Sequence, residues 1–115
     1  MDFKDHPIDA ASEAWRELCA SLAIACGKSS GKLECRQTGD FEFMVKQVEP
    51  PRTLRLEYSP NFRRLRYNSG VSGWQELHVV KRPLKPVMFE TPYHQSYTVE
   101  ELGKNLLELL GKSLF

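Results

Sequence analysis

Apolar and polar residues alternate along the middle of the chain, and this period of two constrains the fold more than any other feature. The alternation runs in short segments from Leu33 to Phe89, and turn-forming sequences such as TGD (38–40) and SPN (59–61) separate them. A strand with one apolar face suits a sheet with one buried side, and short turns between strands favour antiparallel neighbours. The sequence therefore predicts an antiparallel β-meander of five or six strands.

Segments with a helical period flank the alternating region on both sides. Apolar residues recur every three or four positions in residues 7–26, and Gly27 follows as the expected helix end. Near the other end of the chain, Thr98 and Glu101 have the spacing of a capping box, and Gly111 is expected to end the helix. The apolar stripe of this second helix consists of four leucines, Leu102, Leu106, Leu109 and Leu110. Because such stripes must be buried against another element, we expect the N- and C-terminal helices to pack on one face of the sheet.

Length and composition predict a single α+β domain over residues 1–115. The chain is 41% hydrophobic and 27% charged, as is usual for a soluble globular protein. The first fifteen residues lack the pattern of a signal peptide, and no apolar run is long enough to span a membrane. We therefore expect a cytoplasmic protein without membrane contact, in which Cys19, Cys26 and Cys35 are reduced thiols. No two cysteines have CxxC spacing, so we expect no metal site and no cofactor.

Basic residues are concentrated in one part of the chain. Residues 52–90 carry eight basic and three acidic side chains, a net charge of +5, although the whole chain has only +1. Arginine binds phosphate and carboxylate groups through two hydrogen bonds at once, so this segment is a candidate surface for an anionic partner. The candidate contact residues are Arg55, Arg63, Arg64, Arg66, Lys81, Arg82 and Lys85. The alternative is a solvated sheet face on which arginine and glutamate pair across strands.

A second candidate site is a small ligand pocket near the start of the last helix. The loop TPYHQS (91–96) combines an aromatic ring, an imidazole and polar side chains. The residues expected around this pocket are Trp74, His78, Tyr93 and His94. The alternative is a capped loop with an exposed histidine.

The sequence contains none of the common nucleotide-binding, metalloprotease or serine-hydrolase motifs. This favours a non-enzymatic binding or adaptor domain that contacts a protein partner through its open sheet face, with no catalytic residues assigned. One alternative is nucleic-acid binding through the basic segment 52–85, and another is ligand binding in the pocket near His94 and Trp74. Homodimerisation through an edge strand or through Leu107 is a further alternative.

Overall fold

Two helices flank a run of seven strands in the computed structural model, which describes residues 10–70 and 73–112. In chain order these elements are α1 (Ala10–Gly27), β1 (Leu33–Gly39), β2 (Glu42–Gln47), β3 (Arg52–Ser59), β4 (Arg64–Asn68), β5 (Trp74–Val80), β6 (Met88–Glu90), β7 (Ser96–Thr98) and α2 (Val99–Lys112). The predicted start of the first helix at Pro7 lies outside the described residues, and its predicted end at Gly27 is confirmed.

The strands form one sheet in sequence order, and every neighbouring pair is antiparallel. The predicted meander is therefore confirmed, although the described sheet has seven strands and not five or six. The additional strand is β7, which has only three residues and pairs with β6. A polar segment this short shows no alternation, so the sequence pattern did not separate it from the preceding loop.

The core lies between one face of the sheet and the two helices, as the sequence predicts. The buried side chains of the strands include Val45, Leu54, Leu56, Leu65, Leu77 and Phe89, and those of the helices include Trp15, Leu18, Leu22, Leu102, Leu106 and Leu110. Helix α1 packs on β1 and β2, α2 packs on β3, β6 and β7, and the two helices contact each other. Gly103 is buried at the crossing of the helices, where an added Cβ would lie 3.4 Å from Ser21 Oγ. The missing side chain lets the two backbones approach closely.

Helix α2 begins as predicted and ends later than predicted. The Glu101 N–H donates to Thr98 Oγ1 at 3.1 Å, and the Thr98 N–H donates to Glu101 Oε1 at 2.9 Å. These reciprocal bonds confirm the capping box and satisfy two N–H groups that the first turn leaves without partners. The helix continues through Gly111 to Lys112, so the predicted end at Gly111 is wrong.

A disulfide joins Cys26, in the last turn of α1, to Cys35 in β1. The expectation of reduced thiols is therefore wrong for this pair. The two cysteines lie on different elements nine residues apart, so their contact depends on how α1 is placed on the sheet. Cys19 is a free thiol, and burial raises its pKa to about 12.

Candidate functional site

The two helices leave part of the inner sheet face uncovered. Adjacent strands lie about 4.8 Å apart, so seven strands span about 29 Å. Two neighbouring helices, each about 10–12 Å in diameter, cover about 20–24 Å of that width. The remaining strip lies over β4 and β5, on the side of α2 that faces away from α1. A cavity lies in this uncovered part of the sheet.

This cavity has a volume of about 350 Å³ and an apolar floor. Leu77 of β5 and three residues of α2 (Leu102, Leu106 and Leu109) form the apolar part. Three tyrosines, Tyr67, Tyr93 and Tyr97, surround it. The polar lining consists of Gln75, Glu76, Thr91, Gln95, Asn105 and Glu108, and Pro92 completes it. We call this space the α2 cavity.

The tip of the β6–β7 hairpin forms one wall of the α2 cavity, and Thr91 fixes its shape. The Thr91 N–H donates to the Gln95 carbonyl at 2.8 Å, and the Thr91 carbonyl accepts from the His94 N–H at 3.0 Å. The Thr91 hydroxyl oxygen also accepts from the N–H groups of Tyr93 and Gln95, at 3.2 and 3.1 Å. His94 takes a left-handed conformation with φ 67°, which tightens the turn. As a result the ring of Tyr93, which is 87% exposed, stands at the rim.

The polar groups of the α2 cavity are hydrogen-bonding groups and the Glu108 carboxylate. The Tyr97 hydroxyl donates to Gln95 Oε1 at 3.2 Å. Burial raises the pKa of Tyr67, and the negative charge that Tyr97 would carry on ionisation raises it further. The hydroxyl of Tyr67 therefore stays protonated at neutral pH. Among the described residues that line the cavity, none is a lysine, an arginine or a histidine.

The four residues expected around a pocket do not line one cavity. Tyr93 lines the α2 cavity, whereas His94 belongs to the same turn but is not part of the lining. Trp74 and His78 lie on the outer face of the sheet, opposite Asn68 and Arg64 of β4. Alternation along β5 separates them from Leu77, whose side chain is on the inner face.

Three of the seven candidate basic residues make local contacts with carboxylates. Arg66 Nη1 lies 3.5 Å from Glu57 Oε1, and Arg64 Nη1 lies 3.8 Å from Glu76 Oε1. Arg82 Nη2 lies 3.1 Å from Glu90 Oε2, and this hydrogen bond lowers the pKa of Glu90. Arginine and glutamate therefore pair across the outer face, which is the alternative that the sequence left open.

The remaining basic residues do not converge on one point either. The Lys81 ammonium donates to the carbonyls of Arg82 and Lys85, which holds the loop between β5 and β6. Arg63 has a left-handed backbone with φ 51°, and its carbonyl accepts from the Val79 N–H. Within the described residues, no carboxylate lies within 4.0 Å of Arg55. Seven basic residues close in sequence are thus spread over a sheet face and two loops.

Two arginines on the outer face stack on exposed aromatic rings. Arg66 Cζ lies 4.6 Å from the ring centroid of Trp74, and Arg64 Cζ lies 5.8 Å from that of Phe62. Trp74 is 38% exposed and Phe62 is 68% exposed. These rings, together with the charged pairs beside them, form what we call the outer-face cluster.

Sequence reasoning missed the contribution of α2 to the cavity. Leu109 was read as part of the buried stripe, yet it is only half-buried and faces the cavity. The available signal was Asn105, a polar residue three positions after Leu102 and four before Leu109 on the same side of the helix. A polar residue within an apolar helix face indicates contact with something other than a dry core.

No protein-family model matches the chain, and neither the curated proteins nor the solved structures include a match. None of the described helices is long and apolar enough to cross a membrane. The described His, Cys, Asp and Glu residues include no group of three placed to hold a metal ion. The functional interpretation therefore starts from the α2 cavity and the outer-face cluster.

Proposed function

We propose that this protein is a binding domain without catalysis and that its ligand occupies the α2 cavity. The observation that carries the proposal is the combination of an apolar floor with convergent polar groups in a cavity of about 350 Å³. Ligand sites in proteins usually have about 300–1,000 Å³ and are lined mainly by apolar and aromatic side chains with a few polar groups.

The lining residues are suited to holding a ligand in one orientation. Leu77, Leu106 and Leu109 offer apolar contact, while the amides of Gln95 and Asn105 can both donate and accept hydrogen bonds. The hydroxyl of Tyr67 is a neutral donor because its raised pKa keeps it protonated. Each of these groups can recognise a ligand without changing it chemically.

A titration with a neutral aromatic probe tests the proposal. We expect benzyl alcohol to shift the NMR amide signals of Leu77, Tyr97 and Asn105 and to leave the signals of the outer face unchanged. The variant Leu109→Trp should fill the cavity and abolish these shifts, because Leu109 lines it. The matched control is Leu107→Trp, since Leu107 lies on the other side of the same helix, near Ser29 and Leu33. Shifts that persist in Leu109→Trp, or no shifts in the wild type, would contradict the proposal.

The outer-face cluster supports a second candidate function, the docking of a protein partner on the open sheet face. Tryptophan and arginine are the residues most often responsible for binding energy in protein interfaces, and here Arg66 is stacked on an exposed Trp74. The alternating charges around them favour a partner surface of mixed sign over the uniformly negative backbone of nucleic acid.

The nucleic-acid alternative is tested by titrating a short single-stranded RNA and a DNA duplex at low and moderate salt. Binding through phosphates would weaken steeply with salt and would be lost on replacing Arg64 and Arg66 with glutamate. No binding at low salt would leave a protein as the partner of the outer face.

We also propose a location in the cytoplasm, and the disulfide provides a test of it. Structural disulfides are rare in the cytosol, so this location holds only if the Cys26–Cys35 bond of the structure is reduced in cells. Trapping thiols by alkylation in intact cells distinguishes the two states. Recovery of the Cys26–Cys35 disulfide from cells would contradict a cytoplasmic location and indicate an oxidising compartment.

A further inference from the structure

From the charge and the aromatic lining of the α2 cavity, we infer that its ligand is an organic cation: an ammonium or guanidinium group carried on an apolar body. This inference rests on the proposed function, since it names the chemical class of ligand for the same cavity. The charge of the lining, the arrangement of its tyrosines and the depth of its apolar floor each support it.

The charge of the lining is negative. Glu108 of α2 contributes a carboxylate, and the described lining contains no lysine, arginine or histidine. Glu76 of β5 also borders the cavity, but its side chain is on the outer face, where it lies opposite Arg66 and 3.8 Å from Arg64. The charge that a ligand meets in the cavity therefore comes from Glu108.

The tyrosines add a second preference for positive charge. The faces of aromatic rings are negative, and cations bind to them within about 6 Å of the ring centre. Tyr67, Tyr93 and Tyr97 come from β4, the hairpin tip and β7, so they approach the cavity from different directions. The carbonyl oxygens of the amides at Gln95 and Asn105 can accept N–H groups of the same cation.

The apolar floor and the volume of the α2 cavity determine the size and polarity of the part of the ligand that carries the cationic group. Leu77, Leu102 and Leu106 are at most 3% exposed, so a group that reaches the floor enters apolar surroundings. A volume of about 350 Å³ equals about a dozen times the 30 Å³ that a water molecule occupies in the liquid. An amine with a short alkyl or aromatic body has this size.

A second cavity in the molecule shows that this charge preference is a local property. That space, beside α1, is lined by both Arg16 and Asp40 and therefore favours neither sign. The α2 cavity differs from it in having the Glu108 carboxylate and no basic residue in its described lining.

The experiment compares three probes of similar shape and different charge: phenethylammonium, 2-phenylethanol and 3-phenylpropanoate. Dissociation constants are measured by NMR titration of the full chain. We expect phenethylammonium to bind about tenfold more tightly than 2-phenylethanol, to lose that advantage at high salt, and 3-phenylpropanoate to bind most weakly.

Variants test whether the Glu108 carboxylate causes the difference. Glu108→Gln should bring the affinity for phenethylammonium down to that for 2-phenylethanol. Glu100→Gln is the matched control, since it removes an exposed carboxylate of α2 that does not line the cavity. Unchanged far-ultraviolet circular dichroism shows that each variant is folded.

The outcomes separate this inference from the proposed function. Equal binding of the ammonium and the alcohol, or tighter binding of the carboxylate, would overturn the cation inference and leave the binding cavity in place. Failure of all three probes would overturn both. If the ammonium is preferred, a peptide with a central lysine shows where the cationic group of the natural ligand comes from. Tighter binding of the peptide than of phenethylammonium assigns it to a side chain of a protein partner. Weaker binding of the peptide assigns it to a free amine.

Discussion

The indole ring of Trp15 in α1 stacks on the ring of Tyr58 in β3, with centroids 5.7 Å apart and ring planes inclined by 13°. The Trp15 Nε1–H also donates to the Asp40 carbonyl at 3.2 Å, in the turn between β1 and β2. One side chain therefore fixes the helix to a central strand and to a hairpin turn.

Replacing Trp15 with alanine should lower the free energy of unfolding by about 3–5 kcal/mol, because the substitution removes a large buried ring and leaves a cavity. Urea unfolding followed by circular dichroism measures the loss. The matched control is Ile24→Ala on the same helix, where the side chain is 59% exposed and the expected change is within about 0.5 kcal/mol. Similar losses in the two variants would show that the ring does not anchor α1.

Reducing the Cys26–Cys35 disulfide should lower the free energy of unfolding by about 2–3 kcal/mol. The bond closes a loop between residues nine positions apart, and the stabilisation comes mainly from restricting the unfolded chain. Urea unfolding with and without dithiothreitol gives the difference. The variant Cys19→Ala should show the same difference, because Cys19 is not part of the bond. Identical stability of the wild type with and without reductant would contradict the prediction.

Cys19 should react slowly with iodoacetamide in the folded protein. Burial raises its pKa to about 12 from the ordinary value of 9.0, so at pH 8 its thiolate fraction is about a thousandfold lower than usual. Between pH 9 and 12 the unfolded chain loses this proton first, so the contribution of Cys19 to stability falls as the pH rises through that range. Labelling followed by mass spectrometry, in the presence and absence of urea, measures the protection. Equally rapid labelling without urea would contradict it.

Arg82→Ala should raise the pKa of Glu90 toward its ordinary value. The side-chain hydrogen bond from Arg82 is the largest cause of the lowered pKa, and a hydrogen bond from Ser96 adds to it. Because this pKa is lowered in the folded state, the associated stabilisation is present at neutral pH and is lost as the pH falls through the acid range. Carbon-detected NMR titration of the Glu90 carboxylate follows the change. Arg64→Ala is the control, since Arg64 faces Glu76.

The features predicted correctly are those that depend on residues close in sequence. The capping box at Thr98 and Glu101 follows from a spacing of three, and the meander follows from alternation between consecutive turns. Both signals are local, because a helix start and a hairpin are each specified by a few neighbouring residues.

The features that were missed depend on how distant elements are placed. Cys26 and Cys35 bond only because α1 lies along β1, and Tyr67 and Asn105 line one cavity only because part of the sheet is left uncovered. The pocket hypothesis also placed His78 beside His94, although alternation along β5 had already put His78 on the polar face. The two faces of β5 therefore exclude that grouping.

The close approach of Gly103 to Ser21 and Leu18 has a consequence during synthesis of the chain on the ribosome. Because each strand pairs with its neighbour in sequence, the hairpins can form one after another as they emerge, and Trp15 can pack as soon as β3 is present. The part of the same helix face at Leu18 and Ser21 receives its partner, Gly103, only when α2 has been made. A nascent chain that already holds the complete sheet therefore still exposes this helix surface, and chaperones that bind apolar segments have access to it until then.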